Sequence, residues 1–229
     1  MKRFWGIALL VTLVFSGSTP WHIANAEEEN FLQNYNGELA VAKAIDMLIR
    51  STRAKYTQNV VGKLQKEGTG ASVNHLKKKG FIPLPAQFVR SLAADVLQRQ
   101  KKEGKEFFNF FLRSRWNLNL EQGLKDDFEK RGWEYIMRQQ KEALQTGVSL
   151  KKIRWKPYVR IENFNGRKLL RYFSADPASA ISCITCHNAW EQKPQIKELR
   201  KKQGVEAGKI FQMYELMGAL AINVSLNEK

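Results

Sequence analysis

IRWKPYVRIENFNGRKLLRYF, residues 153–173, sets apolar Ile153, Trp155, Pro157, Val159 and Ile161 between Arg154, Lys156, Tyr158 and Arg160. That two-residue period predicts a half-buried strand. NFNG, ending at Gly166, predicts a turn, and KLLRYF to Phe173 predicts the returning strand of a hairpin. Upstream, the aromatic-rich EFFNFFLRSRW of residues 106–116 reads as another strand, and MGALAINVSL of 217–226 as the last one.

Helical periods lie between these strands. From Glu28 to about Lys66 apolar residues recur at three and four residue steps, up to GTG at Gly68 to Gly70, predicting one long amphipathic helix or two in line. NHLKKKGFIPLPAQF is then a loop, and Pro85 suits the first turn of a helix that runs to about Lys102 and stops at Gly104. A further helix is expected over about 124–145, and a charged helical linker over QKPQIKELRKKQG at 192–204. The fold class expected is α+β, a small antiparallel sheet with helices packed on it. There is no internal repeat.

The first twenty-six residues have a different character. Lys2 and Arg3, an apolar run from Phe4 to Phe15 and a small-x-small ending at Ala24 to Ala26 are the three regions of a secretory signal, expected to be cleaved after Ala26. An uncleaved anchor is the other reading, although twelve apolar residues fall short of the about twenty that a spanning helix needs. The organisation expected is a signal at 1–26, a helical segment at 27–70 and a domain at 71–229. The site expected for it is the periplasm.

The chain of 229 residues carries 38 Lys and Arg against 22 Asp and Glu, a net charge of +16. In an exported protein this excess does not point to nucleic acid. It suits an acidic redox or signalling partner, an anionic membrane surface, or the carboxylates of a bound cofactor, and equally a solvated basic surface.

Both cysteines fall in SADPASAISCITCHNAW, residues 174–190. A CxxCH run fits a covalent haem, a redox dithiol or part of a zinc site. Structural zinc needs four ligands, and outside the run residues 27–229 offer one further histidine, His75. A redox dithiol belongs at a helix start after a strand in a βαβ pattern, whereas a hairpin precedes this one. What remains is one covalent haem c, with thioethers from Cys183 and Cys186 and His187 as the iron ligand.

FIPLPAQFVRSLA (81–93), RSRWNLNLEQGLKDDFEKRGWEYI (113–136) and RKLLRYFSADPASAISCITCHNAW (167–190) resemble three blocks of a family of exported c-type haem proteins. That PAS-like family, named mainly as a domain of unknown function, occurs alone or as the periplasmic sensor part of chemotaxis receptors and histidine kinases. The resemblance covers about residues 56–224. It implies a five-stranded antiparallel sheet with flanking helices, and a distal iron ligand that varies between members and is a cysteine in some. With both thiols used for thioethers, that option is closed here.

The distal candidates are His75 and, as alternatives, Met47, Met213 and Met217, with Met137 a more remote choice and a vacant or water-bound iron also open. Each methionine reads equally as core, and His75 beside three lysines as solvated. Arg171 and Arg115 are candidate contacts for the haem carboxylates, with Arg113, Arg167 and Lys168; Trp116, Tyr172 and Phe173 are candidate walls. The expected function is a redox-responsive sensor or one-electron carrier, more a transfer protein than an enzyme. A gas-binding sensor or weak peroxidase with an open iron site is the alternative, and an adaptor with structural haem is a third.

Overall fold

The N-terminal periodicity becomes one helical rod in the computed structural model, which describes residues 34–226. It comprises α1 (Asn36–Lys55), a π-helical segment at Tyr56–Val61 and α2 (Gly62–Lys66). The signal expected at 1–26 lies outside the described residues. The chain divides into Met1–Asn36 and Gly37–Lys229, and the architecture below is that of the second unit.

Two-residue strands β1 (Gly70–Ala71) and β2 (Phe81–Ile82) pair in parallel and close the loop that carries a 3-10 turn at His75–Lys77. Pro83, which has no N–H, follows β2 directly and so cannot extend the pair as a donor. Then come α3 (Pro85–Lys102), β3 (Phe108–Arg113), α4 (Asp127–Gln145), β4 (Tyr158–Phe164), β5 (Arg167–Pro177), α5 (Ile181–Glu191), α6 (Pro194–Gln203) and β6 (Leu216–Ser225). Strands β3, β6, β5 and β4 lie in that order in one antiparallel sheet. Among the described residues this sheet has four strands, not the five implied by the resemblance, because β1 and β2 pair only with each other.

The hairpin is where its sequence predicts, with its first strand shortened. Gln139 of α4 takes both backbone groups of Lys156, accepting from its N–H at 2.7 Å and donating to its carbonyl at 2.9 Å. Pro157 has no N–H to offer, so pairing begins only at Tyr158. Asn165 and Gly166 at the turn have φ of 51° and 76°, the two left-handed residues of a type I′ hairpin. Strand β5 continues past Phe173 because Ser174, Ala175 and Asp176 pair with Leu220, Ala219 and Gly218 of β6.

Alternation along the two central strands builds both layers. Phe173 and Ala175 of β5, with Ala219 and Ala221 of β6, meet Phe128, Trp133 and Ile136 of α4 in the main core. The alanines let the helix approach closely. A Cβ on Gly132 would stand 2.7 Å from Phe173 Cδ1, so only glycine fits. On the opposite face, Tyr172, Ser174 and Asp176 meet α1. Buried Asp46 accepts from Ser174 Oγ at 2.5 Å and from Arg50 Nη2 at 2.6 Å, and Arg53 pairs with Asp176. No helix of the described residues is long and apolar enough to cross a membrane.

Candidate functional site

Ile181–Glu191 is helical, so Cys183, Cys186 and His187 stand at i, i+3 and i+4, neighbours on one face. All three line a cavity of about 410 Å3 at one end of the sheet. Strand β3 contributes Leu112 and Arg113 to it, β5 Asp176, and β6 Met217 and Gly218. The facing wall is the helical rod, with Arg53, Thr57, Val61 and Gln65 at successive four-residue steps and the π segment in the middle. Leu84, Pro85, Ala86, Gln87 and Arg90 at the start of α3 complete it, with Trp116 to Asn119 from the segment after β3.

Hydrogen bonds set these walls. Gln87 accepts from Leu84 N–H at 2.9 Å and donates to the Val73 carbonyl at 3.0 Å, joining the start of α3 to the 72–80 loop. Tyr56 donates to the Pro83 carbonyl at 2.8 Å and stacks on Phe88 at 4.6 Å. Behind the CxxCH helix, Asn188 exchanges two hydrogen bonds with the backbone of Phe211, and the Phe211 ring stands edge-on to His187 at 6.0 Å. Arg200 of α6, fully buried, donates to Glu191 with Nε and Nη2, to the Asn117 carbonyl at 2.8 Å and to the Trp116 carbonyl at 2.9 Å. One guanidinium thus ties the end of the CxxCH helix to another wall of the cavity.

Electrostatics distinguish the possible chemistries. Burial pushes the Cys183 and Cys186 thiols up, which keeps both protonated at neutral pH, unlike the activated thiolate of a redox dithiol. Burial, aided by the charges of Arg53 and Arg200, pushes His187 down to about 4, so its imidazole is neutral and keeps a lone pair. Among the described residues no cluster of three or more His, Cys, Asp or Glu could hold a metal ion alone. A neutral imidazole beside two thiols in a cavity of cofactor size fits a haem.

A family model matches residues 27–225, that of the Tll0287-like family. The chain belongs to the Tll0287-like family. This is the haem-binding, PAS-like family that the three sequence blocks resemble, and the chain is a haem-binding, cytochrome-like domain of it. Neither a curated protein nor a solved structure matches the chain.

In this Tll0287-like chain the other sequence candidates are spread widely. His75 sits half-buried in its 3-10 turn and does not line the cavity, and neither do Met213 or Met47, the latter 68 % exposed on α1. Met217 does line it, while packing into the main core. Arg171 and Arg115 do not reach the cavity. Arg171 is 3 % exposed, holds Asp126 at 2.7 Å and Glu162 and Asn223 at 3.2 Å, and lies over the rings of Phe128 and Phe164. Its place in mid-strand sets it about 16 Å along β5 from Asp176. Strand β3 ends at Arg113, which leaves exposed Arg115 beyond the alternation, donating to the Gly204 carbonyl at 3.2 Å. Arg167 pairs with Glu106 at the far end of the sheet. Of the expected walls Trp116 lines the cavity, whereas Tyr172 faces Asp46 and Phe173 faces α4.

Sequence reasoning missed Arg53, Arg90 and Arg200. Arg53 falls on the four-residue step that includes Thr57, Val61 and Gln65, a signal present in the sequence. Arg200 stands in an RKK run that reads as solvated, and no local pattern marks it as buried.

Proposed function

We propose that this chain is an exported, periplasmic monohaem c-type cytochrome that serves as a redox-responsive sensor or one-electron carrier. The observation that supports this is the placing of Cys183, Cys186 and His187 on one helical face inside one cavity. Each cysteine would add its S–H across one vinyl group, sulfur to one carbon and hydrogen to the other, so attachment needs no oxidant. His187 would supply the proximal nitrogen, its ring steered by Phe211 and the Asn188 clamp. A haem bound there supplies a one-electron iron couple.

The counter-charges for the haem carboxylates come from the cavity rather than from Arg171 or Arg115. Arg53 and Arg113 line it but are committed to Asp176 and Glu129. Arg90, exposed at the start of α3, lines it with no hydrogen-bond or ion-pair partner among the described residues. Arg90 is therefore the guanidinium we assign to a carboxylate. An acidic electron-transfer or signalling protein, or an anionic membrane surface, is the partner that the excess of basic residues suits; nucleic acid is not.

Expression with haem c maturation tests the reading. Alkaline pyridine spectra should show a bis-thioether haem in the wild type, one thioether after Cys183→Ala or Cys186→Ala, and reversible one-electron titration. Haem lost on acid-acetone extraction of the wild type would refute covalent attachment.

A second reading, binding of a small gas or weak peroxidase chemistry at an open iron position, draws on the placing of His75, Met47 and Met213 outside the cavity. Ready formation of a ferrous carbon monoxide adduct would favour it. A six-coordinate low-spin spectrum in both oxidation states, unchanged by carbon monoxide, would exclude it.

A further inference from the structure

Two segments that line the cavity also carry exposed apolar side chains. Val73, of the 72–80 loop, and Leu118, of the segment after β3, line it and are both exposed, so they stand at its mouth. Within three residues of each is a largely bare leucine, Leu76 at 91 % exposed and Leu120 at 67 %. The loop that presents Leu76 is not slack. Ser72 N–H donates to the Ile82 carbonyl at 2.9 Å, Lys77 N–H to the Asn74 carbonyl at 2.9 Å, and Gln87 holds the Val73 carbonyl at 3.0 Å. A leucine held out by a hydrogen-bonded turn, beside other exposed apolar side chains, differs from the scattered single residues that need no explanation.

Cations border this apolar rim. Lys77, Lys78 and Lys79 follow Leu76 directly and are exposed, and Lys78 is fixed over the Phe81 ring at 3.7 Å. From Gly62 to Ala94 the chain has five lysines and Arg90 against one acidic residue, Glu67. Across the cavity, exposed Arg115 stands beside Trp116, while Glu121 is paired with Lys125 at 3.0 Å.

We infer that the mouth of the cavity docks on an anionic lipid surface, with Leu76 entering the boundary between headgroups and acyl chains and Lys77, Lys78 and Lys79 taking the lipid phosphates. The inference rests on the reading of the chain as an exported cytochrome and narrows the partner left open there. Lipid suits the rim better than an acidic protein does. A bare leucine on a loop tip needs no preformed pocket in a fluid surface, whereas a protein partner must match about 800 Å2 of shape on its side. No helix of the described residues can cross a membrane, so their attachment is peripheral, by an inserted apolar side chain and charge together. The net charge of +16 attracts the chain to any anionic surface; the loop decides which face meets it.

The test is sedimentation of the haem-loaded protein with vesicles of phosphatidylcholine alone and of phosphatidylcholine mixed with phosphatidylglycerol. The wild type should bind the mixed vesicles only. Lys77→Gln, Lys78→Gln and Lys79→Gln together should weaken this about a hundredfold, at about fivefold for each lysine near the surface. Leu76→Asn should weaken it about tenfold with the charge unchanged. Lys101→Gln, Lys102→Gln and Lys105→Gln remove the same charge about 25 Å away, at the far end of α3, and should leave binding close to wild type. Where a variant fails to fold, amide exchange of the wild type on mixed vesicles gives the same reading, slowed over 72–80 and not over 101–105. Equal binding to both vesicles, an equal loss in the two triple variants, or no protection over 72–80 overturns the inference. Binding of poly-glutamate through the same lysines, with neither vesicle bound, overturns it in favour of an acidic protein. The Soret band is read separately: its absence overturns the cytochrome reading, whereas haem-loaded protein that ignores the vesicles overturns the docking alone.

Discussion

His75 illustrates how a residue's chemistry and its position can part company. It is the one imidazole outside the CxxCH run after residue 26, yet its 3-10 turn keeps it off the cavity lining. His75→Ala should therefore leave the absorption and spin-resonance spectra of the holoprotein unchanged; loss of a low-spin signal would show that the loop closes onto the iron. Gly132 makes the opposite case, a residue with no functional group whose absence of a side chain is its role. Gly132→Ala drives a methyl against Phe173 and should cost about 1–3 kcal/mol, seen as a lower Tm with the haem spectrum retained. Arg171 looked like a carboxylate ligand because it is basic and close in sequence to the cysteines. Its own burial, three polar partners and two flanking rings make it part of the core instead.

At the scale of elements, the CxxCH helix owes its position to α6 more than to its own composition. Glu191 and Arg200 are 1 % and 0 % exposed, and removing one member of such a pair strands a charge. Glu191→Gln should destabilise the chain by about 3–5 kcal/mol, with amide exchange rising first over Ile181–Glu191. A uniform rise across the sheet would show that the helix has no separate opening. The start of β3 and the start of β5 are joined by Glu106, which accepts from Asn109 at 3.0 Å and pairs with Arg167 at 3.2 Å. Partial burial alone would raise its carboxyl, but the Arg167 and Asn109 hydrogen bonds outweigh it and hold the group below its ordinary value. A depressed folded pKa stabilises above the unfolded value and is lost as pH falls through the folded one. Glu106→Gln should thus lower stability at neutral pH by up to about 1 kcal/mol and flatten its decline below about pH 4.5, in urea midpoints measured against pH. The hairpin element was legible because Asn165 and Gly166 specify their turn locally. The onset of β4 was not, since Gln139 reaches it from seventeen residues away.

For the whole molecule, the net charge of +16 gives a prediction that no single residue carries. Binding to anionic vesicles or to an acidic partner should weaken steeply as salt rises from about 0.01 to 1 M, where the screening length falls from about 30 to 3 Å. Salt-independent binding, measured by sedimentation, would point to an apolar surface instead. Some of the protein's character is local and so was written in the sequence by itself. A helical period, a strand period, an Asn-Gly turn and a CxxCH spacing each depend on residues a few positions apart, which gave the α+β class and the haem-binding run. The cavity is built from segments as distant as Arg53, Arg90, Trp116 and His187, and no local pattern says which side chains meet across it. Only the tertiary structure could withdraw His75 and Arg171 from the site, retain Trp116 and Met217 among its candidates and bring Arg90 to it. Those assignments depend on which faces pack together, and packing is a property of pairs far apart in the chain.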